Sequence, residues 1–342
     1  MESEIRQYHT LSKKDKLQLL KKIKDHTITY REQLDLPKDT TFGVELEFLL
    51  KHFYYNDEDR IFIYNTWFQE LFHNQESKYY TEGIAINKDW LLSLDYEVDG
   101  EFTSPILRDQ KSNWEDLKKI CEMLKEKGAY GGDYASTQIN IGAQIFRKDY
   151  KRFQNAITNY ALFEDVFYYA TKGEQQKYRL EIINYANPIA SKILNAKTNI
   201  SKYTFRNFIN EATYACAFGD KMSSLNLVKL RVYKGFEEDN LLEVRMPNAT
   251  FRIQTLQTWI SLFTHFFDRA GENVYFYEKY APIMKKLNYL PLETKEYNLC
   301  NYEKALELAD IAFEKEIDKL NFLKQYIRYH DYEKIEKELI LK

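Results

Sequence analysis

Four short segments constrain this chain more than any global property does. They are Gly43-Val44-Glu45-Leu46-Glu47-Phe48, Gly100-Glu101-Phe102-Thr103-Ser104-Pro105, Gln138-Ile139-Asn140-Ile141-Gly142 and Glu243-Val244-Arg245-Met246-Pro247-Asn248-Ala249-Thr250. In an extended strand, residues two apart share a face. Glu45 and Glu47 therefore leave one face of a strand whose other face carries Leu46, Phe48 and Leu50. Two carboxylates that close repel unless a cation or an arginine lies between them. Glu101 precedes a largely apolar run ending at Leu107, a setting in which a carboxylate is buried and needs a partner. Gln138 and Asn140 put two amides on one face. Their oxygens can ligate magnesium and their nitrogens can donate to a substrate carbonyl. Glu243 and Arg245 again share a face, and Asn248 and Thr250 follow Pro247, where a turn would present them at a rim. Each pattern has a bland counterpart. Glu-x-Glu is common on solvent-facing edge strands, and Asp95, Glu97, Asp99 and Glu101 could alternate along a surface hairpin with an Asp99-Gly100 turn. Glu243 with Arg245 could be an exposed ion pair of little worth. Taken together, several glutamates and an arginine are what ATP chemistry through divalent metals needs, since carboxylates hold the hard cation and arginine meets the phosphate.

Composition narrows the remaining classes. With 342 residues the chain can bury a large core, and 44 % apolar against 30 % charged residues marks it as globular. A net charge of −3 gives no basic excess for a nucleic-acid partner. The 28 Tyr and 22 Phe fit AT-rich codon usage as their bland explanation. Cys121, Cys216 and Cys300 are far apart and odd in number, so neither a disulfide framework nor a zinc site is expected. Neither a signal peptide nor a spanning segment is recognisable, and the expectation is a cytoplasmic protein away from membranes. The six histidines (His9, His26, His52, His73, His265 and His330) form no ligand pattern, and His265 reads as a core residue. The absence of Walker A, G-x-G-x-x-G and G-x-S-x-G patterns disfavours Rossmann enzymes and nucleophilic hydrolases.

The order of elements points to an α+β fold with a largely antiparallel sheet. Helices are expected over 11–24 (capped by Ser12), 113–127 (closed by Gly128), 150–171, 189–217, 255–270 and 304–341. Strands are expected over 42–50, 90–107, 138–146, 225–233 and 241–246, and residues 60–74 read as a strand followed by a helix. Strands and helices do not alternate regularly, which argues against a doubly wound sheet. The helical flanks, roughly 1–36 and 285–342, read as appendages of a domain over 37–284.

In this order the segments resemble the putative amidoligase family, within the carboxylate–amine ligase superfamily of glutamine synthetase and glutamate–cysteine ligase. Gly43, Glu45 and Glu47 match its opening Gly-x-Glu-x-Glu; Asp95, Glu101, Ser104 and Pro105 match an aspartate followed by Glu-x-x-Ser-Pro. Leu225-Asn226-Leu227 and then Glu243, Arg245, Asn248 and Thr250 match the late motifs, and Trp259 and Ala270 fit the helix that follows. The family usually carries His-x-His-x-Gly where this chain has Gln138-Ile139-Asn140-Ile141-Gly142. Gln or Asn is a weaker metal ligand and neither acid nor base.

The resemblance implies a curved antiparallel sheet with helices on its outer face, and ATP with two or more Mg²⁺ or Mn²⁺ ions on the inner one. It implies phosphorylation of a carboxylate to an acyl phosphate, then attack by an amine. Glu45, Glu47, Glu101 and Glu243 would hold metal, with Asn140 as a weaker ligand. Arg245 would hold the γ-phosphate, Gln138 would lie by the phosphates or the acceptor, and Asn248 and Thr250 would orient substrate. The partners would be a small-molecule or peptide carboxylate and an amine. Two other readings stand beside this one: a binding protein that keeps the fold without catalysis, and another carboxylate–metal phosphotransferase, such as a kinase, or a nuclease.

Overall fold

Alternation along one strand sets the architecture. The computed structural model describes residues 7–51, 60, 62–64, 66–67, 78–80, 83–85, 90–95, 97–195, 222–230, 237, 240–287 and 295–341. Strand β1 (Phe42–Leu50) buries Val44, Leu46 and Phe48 completely, while Glu45 and Glu47 face the other way and are half-buried. Along the chain follow β2 (Lys78–Tyr80), β3 (Gly83–Ala85), β4 (Leu91–Ser93), β5 (Gly100–Thr103), β6 (Ala129–Tyr130), β7 (Thr137–Gly142), β8 (Leu225–Asn226) and β9 (Leu241–Val244). They form one sheet in the order β2-β3-β4-β5-β1-β7-β9-β8, with β6 paired to the far end of β1. Neighbouring strands pair antiparallel throughout. The α+β antiparallel fold expected from the sequence is what the structure contains.

Among the described residues, the helices longer than one turn are α1 (Lys13–Asp25), α2 (Lys111–Glu126), α3 (Tyr150–Ala170), α4 (Ala190–Asn195), α5 (Ile253–Arg269), α6 (Tyr277–Met284), α7 (Tyr302–Ala312), α8 (Glu316–Tyr326) and α9 (Tyr329–Leu341). Ser12 caps α1 as expected, its hydroxyl accepting from the Asp15 N–H. Gly128, at φ +80°, takes the left-handed turn that closes α2. The apolar face of the sheet meets these helices: Phe42 stacks on Trp114 of α2 at 4.9 Å between ring centroids. Helix α3 is buried nearly all round, Arg152, Asn159, Glu164 and Asp165 included, with Phe167 edge-on to Phe266 of α5 at 4.9 Å. Helix α1 lies against α8 and α9, so the two helical flanks pack on each other.

Several boundaries differ from expectation. The strand expected over 138–146 stops at Gly142, and Ala143–Phe146 forms a 3₁₀ turn. Gln144 Nε2 donates to Thr41 Oγ1 at 2.6 Å and draws the chain out of the sheet. Of the strand expected over 225–233, only Leu225 and Asn226 are paired; Asn226 Oδ1 accepts from the Val228 N–H at 2.9 Å and turns the chain, and residues 231–233 lie outside the described residues. The long C-terminal helix is three, broken at extended Phe313 and Ile327. Gly100 does not make the Asp-Gly turn: it lies within β5, where a Cβ would come within 2.6 Å of the Phe48 ring. Most of 60–74, residues 196–217, His52, His73 and Cys216 fall outside the described residues. No described helix is long and apolar enough to cross a membrane.

Candidate active site

Residues directly opposed in an antiparallel pair share a face, so the register of the central strands states which side chains meet. One row across the sheet holds Asn226, Glu243 and Asn140; the next holds Gln138, Glu45 and Thr103; a third holds Glu47 and Glu101. These polar rows back onto the apolar rows of Leu46 with Phe102 and of Val44 with Ile139 and Val244.

Hydrogen bonds tie the rows together. The Glu47 carboxylate accepts from the Ser136 N–H at 2.7 Å and from Gln138 Nε2 at 3.0 Å. Glu45 Oε1 accepts from Asn140 Nδ2 at 2.8 Å and from Lys229 Nζ at 2.9 Å. Glu243, fully buried, accepts on Oε2 from Asn226 Nδ2 at 2.6 Å and Arg245 Nη1 at 2.8 Å, while its Oε1 meets the Lys229 ammonium. Arg245 Nη1 also donates to Gln138 Oε1 at 2.7 Å, and its Nε to the Tyr185 carbonyl at 3.1 Å. Glu101 has a single partner among the described residues, the Thr103 hydroxyl at 2.9 Å.

Charge follows from these contacts. Burial, reinforced by the Glu45 carboxylate, pushes Glu101 up to about 7. Burial works the same way on Glu243, but Arg245 and Lys229 outweigh it and hold that carboxyl below its ordinary value. Burial would lower Lys229, yet Glu45 and then Glu243 raise it, so the proton stays on the amine.

The cavity bounded by these groups has a volume of about 460 Å³ and is lined by Glu45, Glu47, Glu101, Gln138, Glu243 and Arg245. Six of the candidate ligand and phosphate-site residues thus meet in one place, and Asp95 and Glu97 line it with them. Asn140 lies on the same face behind them; its Oδ1 is buried without a hydrogen-bond partner among the described residues. Asn248 and Thr250 do not join the cavity. Both are buried; Asn248 Nδ2 donates to the Lys172 and Lys177 carbonyls at 2.9 and 2.7 Å, and the Thr250 hydroxyl to Glu174 at 2.8 Å. Instead of orienting a ligand at a rim, they fasten the 172–179 segment.

That segment delivers a residue the sequence reading missed. Arg179 lines the cavity at 5 % exposure. Its guanidinium reaches only backbone oxygens among the described residues, Arg245 O at 3.0 Å and Tyr134 O at 3.4 Å, and its Nε has no partner. Lys229 was missed as well. Arg179 falls where no element is expected, and Lys229 falls inside the strand expected over 225–233, which is a turn at that point; only the spacing of Lys229 from Leu225-Asn226-Leu227 could have drawn notice. The described histidines lie elsewhere: His265 stands edge-on to Phe313, held down to about 4 by burial and by Arg269.

The all-oxygen donor set has the chemistry of a magnesium-class site. Among the described residues, however, no group of three or more acidic, His or Cys side chains converges as a metal cage. Magnesium usually arrives on substrate phosphates and borrows one or two carboxylates. Glu101, with its one partner, and Glu47 beside it fit that mode; Glu45 and Glu243 already share the Lys229 ammonium.

Among curated proteins, none matches the chain. The model of one family, described as putative amidoligase enzyme, matches residues 38–267, which takes in all nine strands and the whole cavity. By that match the chain belongs to the putative amidoligase family.

Proposed function

We propose that the cavity forms an amide bond between a carboxylate and an amine, driven by ATP through an acyl phosphate. The observation that carries this reading is the pairing of buried Arg179 with Arg245 beside Glu45, Glu47, Glu101 and Glu243 in one cavity of an amidoligase-family chain. A carboxylate is a poor electrophile, and transfer of the γ-phosphoryl group turns one of its oxygens into a leaving group. Guanidinium groups match phosphate oxygens in geometry and charge. Arg245 is aimed by Gln138, Glu243 and the Tyr185 carbonyl, while Arg179 has an unspent donor. Together they would hold the transferring phosphate and stabilise its charge. Mg²⁺ or Mn²⁺ carried by the nucleotide would be held by Glu47 and Glu101 and would neutralise phosphate charge. Glu45 and Asn140 would brace the face from which the amine approaches. The substrates would be small-molecule or peptide carboxylates and amines.

A second reading, a chain that binds nucleotide without turnover, is favoured by Gln138 and Asn140, neither of which can exchange a proton. Calorimetric titration of a non-hydrolysable ATP analogue with Mg²⁺ tests both. Binding is expected, and its absence would sink both readings. With ATP itself in place of the analogue, ADP release that requires an added carboxylate and amine then selects the ligase; binding with no such release selects the second reading.

A further inference from the structure

Lys229 belongs to none of the motifs, yet it occupies the centre of the acidic face. Its ammonium lies 2.9 Å from Glu45 Oε1 on β1 and also contacts Glu243 Oε1 on β9. Strand β7 runs between those two, so carboxylates rooted on strands roughly 10 Å apart converge on one ammonium. The formal charges of Glu45, Glu243, Lys229 and Arg245 cancel. A divalent ion added to this set would stand within a few ångströms of an ammonium and be repelled. Removing the ammonium leaves a fully buried carboxylate short of a cation, which is costly.

A second feature marks the same spot. Asn140, 8 % exposed, is directly opposite Glu243 in the sheet register and one row from Glu45, with Nδ2 committed to Glu45 and Oδ1 bonded to nothing among the described residues. Two carboxylates and one unspent amide oxygen are hard-oxygen ligands of the kind a divalent cation takes. Lys229 reaches them from the turn after Asn226, and its side chain is 39 % exposed, so it has a way out to solvent.

We propose that Lys229 is the resident cation of the Glu45–Glu243 pair, a tethered ammonium in the place of a divalent ion, and that this pair binds Mg²⁺ or Mn²⁺ only where Lys229 is withdrawn. The inference stands on these side chains alone and does not depend on the ligase reading. The test is Mn²⁺ binding without nucleotide, followed by electron paramagnetic resonance and by melting temperature, on the native chain, on Lys229→Met and on Lys229→Met/Glu45→Gln. Lys229→Met is expected to bind Mn²⁺ at least tenfold more tightly than the native chain and to regain on Mn²⁺ the melting temperature it loses without it. The double variant, with one carboxylate fewer, is expected to fold without the ion and to lose the added affinity. Equal Mn²⁺ affinity in the native chain and Lys229→Met overturns the proposal. So does added affinity that survives Glu45→Gln, or a single variant that stays unfolded with Mn²⁺ while the double variant folds.

Discussion

Gln138 accepts from Arg245 at 2.7 Å and donates to Glu47 at 3.0 Å, so one neutral amide couples the arginine side of the cavity to its carboxylate side. The coupling uses both ends of the amide, and an apolar residue of similar size can supply neither. Gln138→Leu leaves Glu47 and Arg245 each a partner short and is expected to cost about 1–3 kcal/mol of stability. Urea denaturation at constant slope checks this; a midpoint unchanged from the native chain contradicts it.

Arg245→Met takes from buried Glu243 one of its two cationic partners. Breaking a buried ion pair from one side costs up to about 3–5 kcal/mol, and Glu243 is then left with Lys229 alone, which it shares with Glu45. Arg245→Met/Glu243→Gln is expected to be more stable than Arg245→Met alone. A double-mutant cycle in chemical denaturation reads this as strong non-additivity; simple additivity contradicts the pairing.

Glu101 makes stability depend on pH in a direction opposite to that of a salt-bridged acid. Its carboxyl keeps a proton to about 7 in the folded chain, against 4.5 for the ordinary group. Between those values the folded state binds more protons than the unfolded one, so stability falls as pH rises. Below the window the contribution is absent, and above it the penalty is complete. In chelator-treated buffer, melting temperatures at pH 5 and pH 7.5 are expected to differ more in the native chain than in Glu101→Gln. Equal differences in the two proteins would show that Glu101 does not titrate there.

Arg179 is expected to matter more for binding than for folding. Its removal costs the fold two donors to backbone oxygens, of order 1 kcal/mol. Arg179→Met is expected to weaken the Mg²⁺–ATP analogue at least tenfold, which corresponds to about 1.4 kcal/mol. Calorimetry and thermal denaturation on the same sample separate the two effects. A variant that binds as the native chain does removes Arg179 from the phosphate site.

The sequence exposed those parts of the site that repeat with the period of a strand. Glu45 with Glu47, Gln138 with Asn140, and Glu243 with Arg245 declare a shared face by spacing alone, and the sheet register brings those faces together. Arg179 comes from a loop, where no periodicity links a residue to its destination, and Lys229 from a turn that cuts short the strand expected over 225–233. Asn248 and Thr250 lie away from the rim expected of them for a related reason. A strand end followed by proline shows where regular pairing stops but not what covers it, and here the 172–179 segment does. Helix lengths went wrong where local turns intervened: the 304–341 pattern is continuous in sequence, but extended Phe313 and Ile327 divide it.

Because core and chemistry occupy opposite sides of the same strands, they answer to different tests in evolution. Val44, Leu46, Phe102, Ile139 and Val244 are screened by folding itself, since any loss there opens the core. Gln138 and Asn140 stand on the other face of β7 and leave that core untouched. Descendants of such a scaffold can therefore trade one reaction for another, or fall silent, through changes on the polar side alone.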